Sequence, residues 1–96
     1  MIRQGDLLII KIPEVPKSAL EKDSQVIAEG ELSGHRHELS CGTVFEKATA
    51  MYFTVPSEEE AVLNHPEHFP VTFPPGHYKV IRQKEYFPGA WRHVQD

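Results

Sequence analysis

Eight prolines and six glycines are spread between short apolar runs along the 96 residues of this chain. Proline cannot donate to a ladder and glycine readily turns the backbone, so this punctuation favours short strands and turns over long helices. No segment carries a long helical period. Six or seven short runs with strand character remain, and they predict an all-β fold, a small single-domain barrel or sandwich over residues 1–96. A chain of this length has room for one modest core.

Taken in order, Asp6 to Ile12 is apolar on both faces and predicts a strand covered on both sides. A polar loop follows over residues 13–23, with a helical turn expected at Ser18 to Lys22. Gln25 to Leu32 alternates, with Val26, Ala28 and Leu32 on the core face and Ile27 on the polar one. His37 to Ser40 and Thr43 to Lys47 read as strand pieces around a turn or bulge at Cys41-Gly42. Thr49 to Val55 is a β-branched and aromatic strand. Ser57 to Glu60 begins either one turn of helix or a charged tip before a strand at Ala61 to Leu63. His65 to His68 reads as a loop ahead of a short strand at Val71 to Phe73, and Pro74-Pro75-Gly76 as a turn. His77 to Tyr86 is the longest alternating segment. The tail from Phe87 to Asp96 reads as a docked tail or a half-turn of helix, with Trp91 covering an open end of the core. The expected core includes Leu8, Ile10, Val26, Phe53, Val80 and Ile81.

A formal net charge of -4 argues against a dedicated nucleic-acid binder, which needs a positive surface for the phosphate backbone. It gives no help towards an anionic membrane either. Tyr78, Arg82, Lys84 and Tyr86 share a strand face of the type that stacks bases, but the simpler reading is packed tyrosines beside solvated charges. The single cysteine, Cys41, has no internal disulfide partner. With no signal-peptide pattern at Met1 to Asp6, the expectation is a soluble cytoplasmic protein. Cys41 lies four residues past His37, about a dozen ångströms away if extended, and reads as a turn or core residue rather than a nucleophile.

The histidines carry the chemistry. His35 and His37 stand two residues apart just after Gly34, so in a strand they project the same way as Leu39. A second pair, His65 and His68, sits in the segment Asn64-His65-Pro66-Glu67-His68. Neutral imidazole is a common ligand for zinc, and iron, nickel or manganese suit such a set when Glu67 or water is added. The four are the candidate ligands of one divalent ion.

Two resemblances accompany this reading. Arg3-Gln4-Gly5-Asp6, Gly34-His35-Arg36-His37, His65-Pro66-Glu67-His68 and Pro75-Gly76-His77-Tyr78 with Arg82-Gln83-Lys84-Glu85-Tyr86 resemble small bacterial and phage proteins of unassigned function. That likeness runs through nearly the whole chain and implies no activity. His35 and His37, followed by Pro74-Pro75-Gly76, also resemble the cupin pattern. In that pattern a histidine-x-histidine pair and a later histidine hold a metal. Here Glu46 lies too far past His37 for the cupin glutamate, and Lys79 stands where the later histidine belongs. The resemblance therefore implies only that histidines on strands, His35 and His37, hold a metal.

Three classes of function follow. The first is a β-barrel module that binds a divalent metal in an accessory or regulatory role. The second is a metal-free module for protein interaction or oligomerisation, most simply a homodimer whose open strand edges are covered. The third is a small metal-dependent enzyme of unknown substrate, which needs an open coordination position for water.

Overall fold

The computed structural model describes residues 2–29 and 35–82, and they form ten strands and no helix. In chain order these are β1 (Ile2–Gln4), β2 (Leu7–Ile12), β3 (Leu20–Lys22), β4 (Val26–Glu29), β5 (Arg36–Leu39), β6 (Thr43–Lys47), β7 (Ala50–Val55), β8 (Ala61–His65), β9 (His68–Phe73) and β10 (Gly76–Arg82). One sheet runs β1-β2-β10-β7-β6-β3 and the other β4-β5-β8-β9. Every pairing is antiparallel. The fold is all-β, and of the two expected forms it is the two-sheet arrangement, not a closed barrel. No helix among the described residues is long and apolar enough to cross a membrane.

The chain visits the sheets hairpin by hairpin. β1–β2 lies in the large sheet, β4–β5 in the small one, β6–β7 in the large one and β8–β9 in the small one, before β10 slots between β2 and β7. The edge strands β1 and β9 lie beside each other, so the two sheets meet along that seam. Phe53 of β7, Phe73 of β9 and Tyr78 of β10 bind the layers together, with ring centroids 4.9–5.3 Å apart. Leu7, Ile9, Val44 and Leu63 join Phe53 and Phe73 as the largest fully buried side chains.

Several local expectations are corrected. Ser18 to Lys22 forms no helical turn; Leu20–Lys22 pairs with β6 instead. Of the two readings of Ser57 to Glu60, the charged tip ahead of a strand holds and the turn of helix does not. Glu58 takes a φ of 69°, which a right-handed helix does not admit, and the chain passes on into β8. His65 to His68 is a hairpin tip, and β9 begins at His68.

On β2 the core takes Leu7 and Ile9, while Leu8 and Ile10 keep partial exposure. The sheet buries one face against its partner, so an apolar run with no polar side does not reveal which parity points inward. On β4 a register shift between Val26 and Ala28 turns Ile27 into the core and leaves Val26 half-buried. Ile81 is likewise half-buried, whereas Phe53 and Val80 are core as expected. Tyr78 is buried, and its hydroxyl donates to the Pro74 carbonyl at 2.6 Å, so it packs and presents no stacking face. Leu32, Lys84, Tyr86 and Trp91 lie outside the described residues.

Candidate functional site

The four candidate histidines come from two neighbouring strands and the tip of a hairpin. β5 alternates as expected, with His37 and Leu39 buried and Arg36 and Glu38 exposed. Glu38 and Leu39 pair with Asn64 and Leu63 of β8, which brings the end of that strand alongside His37. β8 then reverses through Pro66-Glu67, so that His65 and His68 stand opposite each other across the tip. Proline presets φ for the first turn position, and a register shift between Leu63 and His65 re-aims the strand end.

The result is a compact set of rings. Centroids lie 4.3 Å apart for His37 and His65, 4.5 Å for His65 and His68, and 6.1 Å for His37 and His68. His35 sits at the rim, 5.6 Å from the ring of His65, with Nδ1 3.5 Å from a Glu67 carboxylate oxygen. Beside it an open depression of about 390 Å³ is lined by His35, Arg36, Glu38, Asn64, His65 and Pro66.

A second hairpin tip closes over the cluster. β1 and β2 are joined by the two residues Gly5-Asp6, and Gly5 has a φ of 60°. A glycine at positive φ in the first position of such a loop suits the right-handed twist of the strands it joins. It also allows close approach: a Cβ on Gly5 would lie 2.7 Å from His68 Nε2. Gln4, just before the loop, is 3% exposed and fully engaged. Its Nε2 donates to the Leu63 and Phe69 carbonyls at 2.9 and 2.8 Å. Its Oε1 lies 2.7 Å from His37 Nδ1.

These bonds determine a tautomer. Both amide hydrogens of Gln4 go to carbonyls, so Oε1 is an acceptor and His37 Nδ1 carries the proton. The lone pair of a neutral His37 is then on Nε2. Burial, followed by the charge of His65, pushes the His37 pKa down to about 4, so the ring is neutral at physiological pH. Burial and the neighbouring His68 also lower His65. Nε2 of His37 stands 4.0 Å from Asp6 Oδ1, and Asp6 Oδ2 stands 3.4 Å from Arg82 Nε. Arg82 is anchored through Nη2, which donates to the Glu29 carbonyl at 2.6 Å.

His65 is oriented differently. Its Nδ1 accepts a hydrogen bond from the Glu67 backbone N–H at 3.0 Å, which leaves the proton of the neutral ring on Nε2. Among the described residues, no group of three or more His, Cys, Asp or Glu side chains is arranged to hold an ion as it stands. Coordination through His65 Nε2 requires its proton to move and the bond from Glu67 to open.

His35, His37, His65 and His68 therefore gather in one place, three as an inner group and one at the rim. Gln4, Gly5, Asp6 and Arg82 were not anticipated as neighbours of the cluster. The signal available for the first three was Gly5-Asp6 ahead of the apolar run Leu7 to Ile10, a turn mark that says nothing of what the tip covers. Cys41 lies elsewhere: its thiol donates to the Glu60 carbonyl at 3.4 Å, and burial pushes its pKa up. His77 is also separate, bonded through Nδ1 to the Thr54 hydroxyl at 2.9 Å.

The fold and the cluster define a two-sheet β domain with a histidine-lined site at the junction of three hairpins. The family described as a domain of unknown function (DUF8820) matches residues 3–83, and the chain belongs to that family. No curated protein and no solved structure shows significant similarity to the chain.

Proposed function

We propose that this domain binds one divalent cation through His37, His65 and His68, with His35 at the rim, in an accessory or regulatory role. The observation that carries this reading is the Gln4–His37 bond. An outer amide that fixes the tautomer of a buried imidazole, with two more imidazole rings 4.3 and 6.1 Å from it, is the arrangement found behind metal-ligating histidines. The low His37 pKa favours the neutral ring that a metal requires. The common ground with cupins is histidines projecting from strands, and zinc is the first candidate ion, ahead of iron, nickel or manganese.

The test is calorimetric titration of zinc into untagged protein. One ion per chain is expected, with binding lost in a His37→Ala/His65→Ala double variant. Absence of uptake by the parent protein refutes the proposal. If binding occurs with a position left open to water, metal-assisted hydrolysis becomes the enzyme reading to test.

A second reading is a metal-free interaction module that pairs with a second copy. It is favoured by Phe69, 90% exposed on the edge strand β9, and Leu20, 74% exposed on the edge strand β3. The open edge of β3 favours strand pairing between chains, and β9, which faces β1 across the seam, offers Phe69 as an exposed apolar contact. Light scattering should then give a dimer mass that Phe69→Lys reduces to that of a monomer.

A further inference from the structure

Resting on the reading of the histidine cluster as a metal site, we propose that Asp6 is its carboxylate ligand, handed from Arg82 to the ion on binding. The resulting nitrogen-and-oxygen set would select a borderline divalent cation over a thiophilic one.

Asp6 occupies the tip that covers the cluster, and its two oxygens face opposite partners. Oδ1 is directed to His37, 4.0 Å from Nε2, and Oδ2 to Arg82, 3.4 Å from Nε. Arg82 Nε is buried and has no hydrogen-bond partner among the described residues, so its approach to Asp6 is a charge contact without a directed bond. The guanidinium keeps a separate anchor on the Glu29 carbonyl. Asp6 can therefore leave it without releasing the arginine. An ion accepting the His37 Nε2 lone pair adds two positive charges beside Oδ1, where the metal-free site has a neutral ring. The carboxylate then has a closer and more highly charged partner than Arg82.

The donor set fixes the class of cation. His37, His65, His68 and Asp6 offer imidazole nitrogen and carboxylate oxygen, and the one thiol, Cys41, is bonded to Glu60 away from them. Such a set suits zinc, nickel or ferrous iron, and lacks the sulfur that monovalent copper prefers.

The test combines zinc titration of the parent, Asp6→Ala and Asp6→Asn proteins with carbon-13 spectra of the side-chain carboxyls, recorded with and without one equivalent of zinc. Asp6→Ala should weaken zinc at least about tenfold, and the Asp6 carboxyl carbon of the parent protein should shift when zinc is added. Arg82→Gln should tighten binding, because Asp6 is released and a positive charge removed. If zinc binds but the Asp6 carboxyl carbon stays in place, Asp6 is no ligand and the histidine reading stands alone. A weaker Asp6→Ala protein with an unmoved parental carboxyl has the same meaning, since the charge then acts only through space. If the parent protein takes up no zinc, the histidine reading itself fails. The carboxyl measurement uses the parent chain, so it holds even if a variant does not fold.

Discussion

At the scale of single residues, Gln4 and His37 act as one unit. Replacing Gln4 by leucine removes the acceptor that fixes the His37 tautomer and leaves the Leu63 and Phe69 carbonyls without their donor. A loss of about 1–3 kcal/mol in urea unfolding is expected for such an unmatched buried group, together with a weakening of zinc binding by about 10–100-fold. His37 also makes stability depend on pH. Its ordinary value of 6.5 falls to about 4 in the folded chain, so between those values the unfolded chain binds the extra proton. The stability is full above pH 6.5, falls as pH is lowered through that window, and levels off below about 4, a change on the order of 3 kcal/mol. Melting curves recorded with a chelator should show this slope, and His37→Gln should flatten it. An unchanged slope in that variant would assign the effect to another group.

At the scale of elements, the site depends on the β1–β2 tip, the β8–β9 tip and β5 meeting. Gly5→Ala strikes two of them at once, because its φ of 60° disfavours a side chain and its Cβ would press on His68. The left-handed conformation alone costs about 1–2 kcal/mol. Denaturant midpoints should fall accordingly, and zinc binding should weaken because His68 is displaced. A Gly5→Ala protein as stable as the parent would mean that the tip does not hold this conformation in solution. The elements also separate what sequence shows from what it hides. Strand alternation placed His37 and Leu39 on one buried face, because period-two patterning is local. The same rule failed on β4, where a register shift set by the pairing with β5 turned Ile27 inward. It was silent on β2, where Leu7 to Ile10 are apolar at every position. Patterning along the chain puts Asp6 in the strand that follows and marks no turn at Gly5-Asp6, and the place of the β1–β2 tip over the cluster arises from the β1–β9 seam, a contact between residues far apart in sequence.

At the scale of the whole molecule, two sheets share a core centred on Phe53, Phe73 and Tyr78. Phe53 and Phe73 are fully buried, so truncating either to alanine should cost about 3–5 kcal/mol. That is a large share of the stability of a domain this size. Circular dichroism of Phe73→Ala should show a lowered midpoint, and zinc should recover part of it, because an ion bound only by the folded state shifts the equilibrium towards it. The all-β class was legible from the spacing of proline and glycine together with the strand alternation between them. Neither the division of ten strands between two sheets nor the insertion of β10 between β2 and β7 carries a local mark, since both depend on long-range pairing. The convergence of two histidine pairs thirty residues apart follows from one such pairing, β5 with β8. A long-range proton–nitrogen spectrum of the imidazoles, with and without one equivalent of zinc, tests this convergence and its proposed use together. Without metal, His37 should carry its proton on Nδ1 and His65 on Nε2. With zinc, Nε2 of His37 should take a metal-bound shift and the proton of His65 should move to Nδ1. Imidazole nitrogens that do not respond to zinc would contradict the account.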